Sequence, residues 1–314
     1  MSGGTTLTKI LITGGTGSLG SQLTQFYVNR GADVTVFSRD PHKQIALKEK
    51  VPNARYVLGD ICDFGGLRDV IEGQDVVVHT AALKHIGLGE SNVAEFIRIN
   101  VIGSLNVANA CLDADIEKSL LISSDKAVLP VNLYGKSKSV AEDIFISFGY
   151  SCLRYGNVVD SRNSFLDVWK RALLAGEKIA VRFPEPTRFF LTIDDAIKLV
   201  DSALANADLS DVAGGIFVPA NLRSFSILDV VRYLGIDNKF IKEESLLPGE
   251  KQHEILVSEH EQGKQLNNIL SVVWKGFNGL LDKSLYCSKT SPRVDPTEFE
   301  QFLRLKFYGT KLHS

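Results

Sequence analysis

Between Ser124 and Lys138 the chain gathers a hydroxyl, an acid, two amines and a phenol: Ser124, Asp125, Lys126, Tyr134 and Lys138. Tyr134 and Lys138 are four apart, so on a helix they project from the same face one turn apart. An ammonium beside a phenol favours the phenolate and lowers its pKa. A phenol tuned in this way can take the proton of an alcohol or sugar hydroxyl near neutral pH. Ser124 stands at the end of an apolar strand (Leu120, Leu121, Ile122) and could reach the same hydroxyl across a cleft. Tyr-x-x-x-Lys recurs by chance on ordinary surface helices, so the surrounding elements have to carry the reading.

Those elements begin at the amino terminus. Lys9 to Thr13 (KILIT) reads as a short strand, followed at once by Gly14, Gly15, Thr16, Gly17, Ser18, Leu19 and Gly20 and a helical pattern from Ser21 to Arg30. Strand, glycine-rich turn and helix together are the context a dinucleotide site requires. Gly14 makes the tight turn, Gly17 lets the backbone approach a pyrophosphate and Gly20 lets the helix pack on the strand. The helix amino terminus supplies N–H groups to the phosphates. Asp33 to Ser38 (DVTVFS) is a second strand, whose end meets the adenosine ribose. An acid there would hold the ribose hydroxyls of NAD; this chain has Ser38, Arg39 and Lys43, which suit a phosphate and favour NADP over NAD. Asp40 follows, its direction unreadable from sequence.

Ala54 to Gly59 ends at Asp60 and Ile61, with the Asp60 carboxylate placed to accept from an adenine amino group. Asp75 to His79 (DVVVH) ends in Thr80, Ala81 and Ala82, small residues that leave space for a cofactor. Lys84 and His85 follow where phosphates or a sugar would lie, and His79 reads as packed against the sheet edge. Glu95 to Leu112 reads as one long amphipathic helix with Ile97, Val101, Leu105 and Ala108 along one side, and with Asn100 bridging backbone near the catalytic corner.

Strands alternating with helices imply an α/β fold: a Rossmann-type doubly wound parallel sheet, covered on both faces, with ligands at the carboxyl ends of its strands. Residues 1–160 are assigned to an NADP-binding domain, to which 187–206 return. Residues 161–314 are assigned mainly to a smaller C-terminal substrate-binding region and cap, with the tail from Gly263 as a small capping element. At 314 residues the chain can bury a sizeable core. A net charge of −2 without basic or acidic blocks gives no reason to propose nucleic acid or a membrane surface as partner. The four cysteines and six histidines have no metal-ligand spacing, so no metal is expected, and the cysteines read as reduced. MSGGTTLTK leads directly into the first strand and no apolar run could span a bilayer, so the expectation is a soluble, cytoplasmic protein.

TGGTGSLG at Thr13 to Gly20, with Tyr134-x-x-x-Lys138, resembles the extended short-chain dehydrogenase/reductase superfamily. More narrowly, the chain resembles the inverting UDP-N-acetylglucosamine 4,6-dehydratases of bacterial surface-glycan and flagellin-sugar pathways. That likeness lies in SRD at Ser38 to Asp40, AALKH at Ala81 to His85, SSDKA at Ser123 to Ala127, LYGKSK at Leu133 to Lys138, RYGNVV at Arg154 to Val159, TRFF at Thr187 to Phe190 and PGEKQHE at Pro248 to Glu254. The resemblance implies a redox-neutral dehydration of a UDP-sugar with retained NADP, by a homo-oligomer. In that family the pair matching Asp125 and Lys126 separates inverting dehydratases from retaining ones, which carry Asp-Glu, and from epimerases, which lack it. Removing water requires a proton taken from carbon 5 and one given to the carbon 6 hydroxyl, neither within the reach of Tyr134. Lys126 is implied as the base and Asp125 as the acid, after Tyr134 has taken the carbon 4 hydroxyl proton with Ser124 holding that oxygen. Lys126 must then be neutral, through burial or a neighbouring cation such as Lys84.

The same resemblance assigns Gly14, Thr16, Gly17, Ser18, Leu19, Gly20, Ser38, Arg39, Lys43, Asp60, Ile61, Ala81, Ala82, Lys84, Asn100, Tyr134 and Lys138 to the cofactor. It assigns Lys84, His85, Ser124, Asn157, Val158, Arg162, Arg188 and Glu250 to the substrate. The chain departs from the family pattern at Asp160 and Asn163, which stand in glycine positions, at Asp167 in place of a proline, and at Leu247, where an arginine commonly partners nucleotide phosphates. Two other readings stand beside this one. The first is another nucleotide-sugar epimerase or dehydratase of the superfamily, separable by product mass; the second is a non-catalytic NADP-binding sensor on the same fold.

Overall fold

The computed structural model describes residues 8–162, 164–207, 214–267, 269–275 and 286–309. Its first half alternates strand and helix: β1 (Lys9–Thr13), α1 (Ser18–Asn29), β2 (Asp33–Ser38), α2 (Pro41–Lys50), β3 (Arg55–Leu58), α3 (Phe64–Ile71) and β4 (Val76–His79). Two short helices, α4 (Ile86–Gly89) and α5 (Val93–Phe96), lead through a π-helical stretch (Ile97–Ile102) into α6 (Gly103–Asp113), followed by β5 (Lys118–Ile122), α7 (Leu133–Ser147) and β6 (Ser151–Leu153). The second half adds α8 (Phe165–Leu174), β7 (Ile179–Phe183), β8 (Thr187–Phe189), α9 (Ile193–Asn206), β9 (Ile216–Pro219), β10 (Ser224–Ser226), α10 (Ile227–Leu234) and β11 (Ile241–Ser245). Last come β12 (Ile255–Val257), β13 (Glu261–Gln265), β14 (Leu270–Lys275), β15 (Tyr286–Cys287) and α11 (Pro296–Tyr308).

Nine strands form one Rossmann-type sheet in the order β13-β14-β9-β6-β5-β4-β1-β2-β3, parallel from β9 to β3, with β14 and β13 added antiparallel. The register sets Ile10, Val34 and Val76 abreast, and likewise Ile12, Val36 and Val78. With a period of two, these residues face α1 and α9, while Leu11, Val77 and Leu121 face α3, α6 and α7. Burial on both faces is why the strands read as unbroken apolar runs. Side chains set the helix starts. Asp40 caps α2 ahead of Pro41, Asn132 Oδ1 accepts from the Gly135 N–H at 2.7 Å, and Thr192 and Asp195 form a reciprocal box at α9. A separate apolar cluster, including Trp169, Phe190, Phe225 and Phe299, binds α8, α10 and α11 into a smaller satellite.

Three expectations are corrected by this architecture. The tail is not simply a cap: β13 and β14 form a hairpin that widens the sheet, because Val272 and Val273 are buried on opposite faces of it. Thus β9, β13 and β14, all within 161–314 and outside 187–206, belong to the sheet. Glu95 to Leu112 is not one regular helix. The π-helical stretch turns Ile99, Asn100, Ser104, Val107 and Ala108 inward and leaves Ile97 43 % exposed. His79 lies between β1 and β5 at the centre of the sheet rather than its edge, bonded to Thr13 Oγ1 at 2.7 Å and Ser104 Oγ at 3.0 Å.

Candidate active site

Strand order reverses between β1 and β4, and a crevice opens at that point. Gly14 has φ +66°, and a Cβ there would lie 2.7 Å from the Ala81 backbone; one at Gly20 would lie 2.5 Å from the Gly14 carbonyl oxygen. Both positions therefore exclude a side chain. No side chain caps the start of α1, which leaves its first N–H groups for an anion. The cleft, about 760 Å3, is lined by Gly14, Thr16, Gly17, Ser38, Arg39, Lys43, Asp60, Ile61, Ala81 and Ala82. A glycine cradle opening into a long cleft fits a dinucleotide.

Several of the residues assigned to the cofactor also have partners within the protein. Leu19 is packed in the core beneath the turn. Asp60 is already engaged: Oδ1 accepts from the Cys62 N–H at 3.0 Å and Oδ2 from Arg98 at 3.2 Å, so the adenine contact assigned to it would compete with these bonds. Burial pushes its pKa up, but these bonds and the Arg39 charge outweigh that and lower it. Asp40 turns back to cap α2 and pairs with Lys43 Nζ at 2.8 Å. Asn100, 1 % exposed, pins the loop after β4: it accepts from the Leu83 N–H at 2.8 Å and donates to the Leu83 carbonyl at 2.9 Å and to Ser137 Oγ at 3.0 Å.

The candidate catalytic corner forms where β5 ends. Ser124 caps a single 3-10 turn, Asp125–Ala127, and donates to Asp125 Oδ1 at 2.9 Å. Gly135 lets α7 lie directly on this turn. Lys126 Nζ donates to Asp125 Oδ1 at 3.0 Å and Asn157 Oδ1 at 3.0 Å, and stands 3.2 Å from Glu254 Oε1. Burial works to lower the Lys126 pKa, but the two carboxylates prevail and raise it. The expectation that a neighbouring cation makes Lys126 neutral is therefore wrong for the resting site. Its cationic neighbour is Arg188, whereas Lys84 lies by Arg162, donating to the Arg162 carbonyl at 3.4 Å. Burial raises the Asp125 pKa, against the Lys126 charge and the hydrogen bonds from Lys126 and Ser124, which lower it.

Tyr134 is half-buried, and desolvation raises its pKa, contrary to the lowering expected from spacing. The groups that oppose the rise are Lys126 and the Ser124 hydroxyl. Lys138, 3 % exposed, instead gives its ammonium to the Ile122 carbonyl at 2.6 Å, and burial lowers its pKa to about 8.

The substrate assignments divide. Asn157 and Arg188 join the corner, Arg188 Nε lying 3.7 Å from Glu254 Oε1. Val158 bridges to Leu191 beside it, and His85 is exposed at the start of α4. Arg162 belongs to the glycine-rich turn, donating from Nη2 to the Thr16 carbonyl at 2.5 Å and from its backbone to Ser18 Oγ at 3.1 Å. Glu250 is committed to Arg182 at 2.9 Å and the Leu247 N–H at 3.0 Å, because it closes its own turn. Asp160 accepts from the Ile193 N–H at 2.9 Å and pairs with Lys306 at 2.9 Å, tying the loop after β6 to α9 and α11. Asp167 lies in the first turn of α8, where a carboxylate suits the helix dipole, and Leu247 is 47 % exposed. Asn163 lies outside the described residues.

Sequence reasoning missed Glu254 and Arg154. Glu254, 2 % exposed, was hidden by its neighbour Glu250 in the same motif. Arg154 is fully buried between Glu142, at 2.7 Å, and Glu261, at 2.9 Å, and Glu142 also accepts from Ser123 Oγ at 2.5 Å. Among the described residues no group of His, Cys, Asp and Glu gathers as for a metal ion, and no helix is long and apolar enough to cross a membrane.

A glycine cradle at the switch point, with Ser124, Tyr134 and Lys138 gathered at the end of β5 and on α7, defines an extended short-chain dehydrogenase/reductase. The chain belongs to the polysaccharide biosynthesis protein family, which matches residues 10–273. It is 34 % identical over 266 residues to a UDP-N-acetylglucosamine 4,6-dehydratase (inverting) of Campylobacter jejuni, covering 80 % of this chain and 77 % of that one. It is 32 % identical over 276 residues to a UDP-glucose 4-epimerase of Rickettsia akari, covering 81 % and 79 %. The X-ray structure of Pen from Bacillus thuringiensis superposes with a TM-score of 0.86 at 27 % identity, covering 95 % and 97 %.

Proposed function

We propose that the protein removes water from UDP-N-acetylglucosamine, giving a UDP-4-keto-6-deoxy-hexosamine inverted at carbon 5, with NADP retained through turnover. The observation that carries this reading is the pairing of buried Asp125 with half-buried Lys126 beside Ser124 and Tyr134. Oxidation or epimerisation at carbon 4 needs only Ser, Tyr and Lys, whereas an elimination needs a second acid and base. Held by the glycine cradle and Arg39, NADP would supply the redox chemistry, the uptake and return of one hydride. Arg39 supports NADP over NAD: its side chain is 48 % exposed and 3.7 Å from each of its two acids, so it is loosely paired and open to a phosphate. The reading includes a cytoplasmic homo-oligomer, by family resemblance.

The proton steps balance within the corner. Tyr134, as its phenolate, takes the carbon 4 hydroxyl proton while Ser124 holds the oxygen. One proton crossing the 3.0 Å contact from Lys126 to Asp125 converts the ion pair into an amine and a carboxylic acid. The amine takes the carbon 5 proton, and the acid protonates the departing carbon 6 hydroxyl, which leaves as water; the ion pair is then restored. Carbon 5 is reprotonated from the opposite face, which balances the proton Tyr134 gained.

Mass spectrometry after incubation with UDP-N-acetylglucosamine in deuterated water, without added reductant, tests this. The expected product is lighter by one water and carries solvent deuterium at carbon 5. A product with no loss of water, or unaltered substrate, overturns the reading. Lys126→Ala should still bind NADP and exchange nothing at carbon 5.

A further inference from the structure

We infer that Glu254 is a positioning residue for the elimination: it holds one N–H of Lys126 throughout, so that proton transfer to Asp125 leaves the lysine lone pair aimed at the substrate. The inference rests on the dehydratase reading above.

Lys126 Nζ has three acceptors, Asp125 Oδ1 at 3.0 Å, Asn157 Oδ1 at 3.0 Å and Glu254 Oε1 at 3.2 Å. An ammonium has three N–H groups and no lone pair, so these acceptors take up its whole capacity. A neutral amine has two N–H groups and one lone pair. When the proton passes to Asp125, Asn157 and Glu254 keep the two remaining N–H groups, and the lone pair faces Asp125 Oδ1, opening to the carbon 5 proton as Asp125 turns its new O–H to the hydroxyl of the adjoining carbon 6. Without Glu254 only Asn157 would hold the amine against rotation about its last bond.

Glu254 is built to stay in place. Its backbone N–H donates to Ser288 Oγ at 2.9 Å and its carbonyl accepts from the Ser288 N–H at 2.8 Å. Glu254 Oε2 and Asp125 Oδ2 are both buried without a hydrogen-bond partner among the described residues. Two buried carboxylates with an open oxygen each, on either side of one ammonium, cost stability and add nothing to packing. The charged and titratable groups facing Lys126 are Asp125 on its own turn, Tyr134 on α7, Arg188 on β8 and Glu254, with Lys251 close to Glu254. Arg188 opposes the ammonium, and removing Glu254 removes one of the two carboxylates that favour it.

The test uses Glu254→Gln, which keeps an acceptor of the same shape without its charge, and Glu254→Ala, which removes both. NMR titration of lysines labelled at Cε, with Lys126 assigned by the signal lost in Lys126→Ala, should show the Lys126 pKa falling by about one unit or more in both variants. Solvent exchange at carbon 5 of UDP-N-acetylglucosamine should survive in Glu254→Gln and fall roughly 100-fold in Glu254→Ala, with NADP affinity unchanged. An unshifted Lys126 titration in both variants, or wild-type exchange in Glu254→Ala, overturns the proposal. If the wild type itself exchanges nothing at carbon 5, the dehydratase reading falls, and the Lys126 titration then decides whether Glu254 controls that ammonium.

Discussion

Gly135→Ala is the sharpest single test of how the corner is assembled. Gly135 follows Tyr134 in the first turn of α7, and a Cβ there would lie 2.2 Å from the Lys126 carbonyl oxygen and 3.1 Å from Pro130 Cβ. To restore ordinary contact, helix and turn must separate by about 1 Å. The turn carries Asp125 and Lys126 and the helix carries Tyr134 and Lys138, so the displacement falls between the two sets of reacting groups. Alanine is otherwise better than glycine in a helix by about 1 kcal/mol, while overpacking costs about 1–3 kcal/mol, so the net destabilisation is roughly 0–2 kcal/mol. A 1 Å misplacement of catalytic groups costs roughly 100-fold in rate. The expected signature is thus a large loss of dehydration with a small loss of stability and intact NADP binding. Gly65→Ala in α3 is the comparison, since the nearest atom to a Cβ there is 3.8 Å away; it should leave the rate unchanged and be neutral or stabilising. Dehydration rate, urea midpoint and NADP affinity should be measured for both variants. A Gly135→Ala protein that turns over at the wild-type rate would refute the claim that this glycine sets the distance.

Other perturbations have equally definite outcomes. Arg154→Met leaves Glu142 and Glu261 buried without their cation and should cost about 3–5 kcal/mol in urea unfolding, most of it regained when both acids are also made apolar; an unchanged midpoint in the single variant would contradict the buried triad. Burial, with Lys138 nearby, lowers the His79 pKa from 6.5 to about 3, so the unfolded chain takes up the proton first as pH falls. Stability from His79 is therefore complete above pH 6.5 and drains away toward pH 3, by at most roughly 5 kcal/mol; His79→Gln should flatten that part of the pH dependence of unfolding, and an unaltered slope would count against it. Arg162→Ala loses the bond to the Thr16 carbonyl and should release NADP about tenfold faster in stopped flow, an unchanged off-rate being the contrary result.

The sheet is legible in the sequence because burial on both faces writes β1, β4 and β5 as apolar runs, and because the cradle is a steric demand expressed in neighbouring residues. Spacing also places Tyr134 and Lys138 on one helix. It does not reveal which lysine acts on the phenol: Lys138 gives its charge to the Ile122 carbonyl, and Lys126, from the turn, opposes the rise that burial imposes. Within PGEKQHE the direction of each acid depends on a turn that the letters do not encode, so Glu250 stood out and Glu254 did not. Arg154 looks like any charge at a strand end. Its partners lie 12 and 107 residues away, and no local pattern reports such distances. The inward face of the helix around Asn100 was misread because a π-helical stretch shifts the phase and buries polar residues that hydropathy counts as outward.

The Arg154 triad also bears on the order in which a nascent chain can finish folding. A chain emerged from the ribosome only as far as β9 already holds all the parallel strands of the nine-stranded sheet, yet one of the two carboxylates that answer Arg154 has still to be synthesised. A buried, half-answered guanidinium is strongly unfavourable, so β6 and the corner beside it stay accessible to water until the closing hairpin arrives. Limited proteolysis of a chain ended at Ser258 should accordingly cut near β6 while sparing β1 to β4. On this order the glycine cradle would be complete before the corner beside β6.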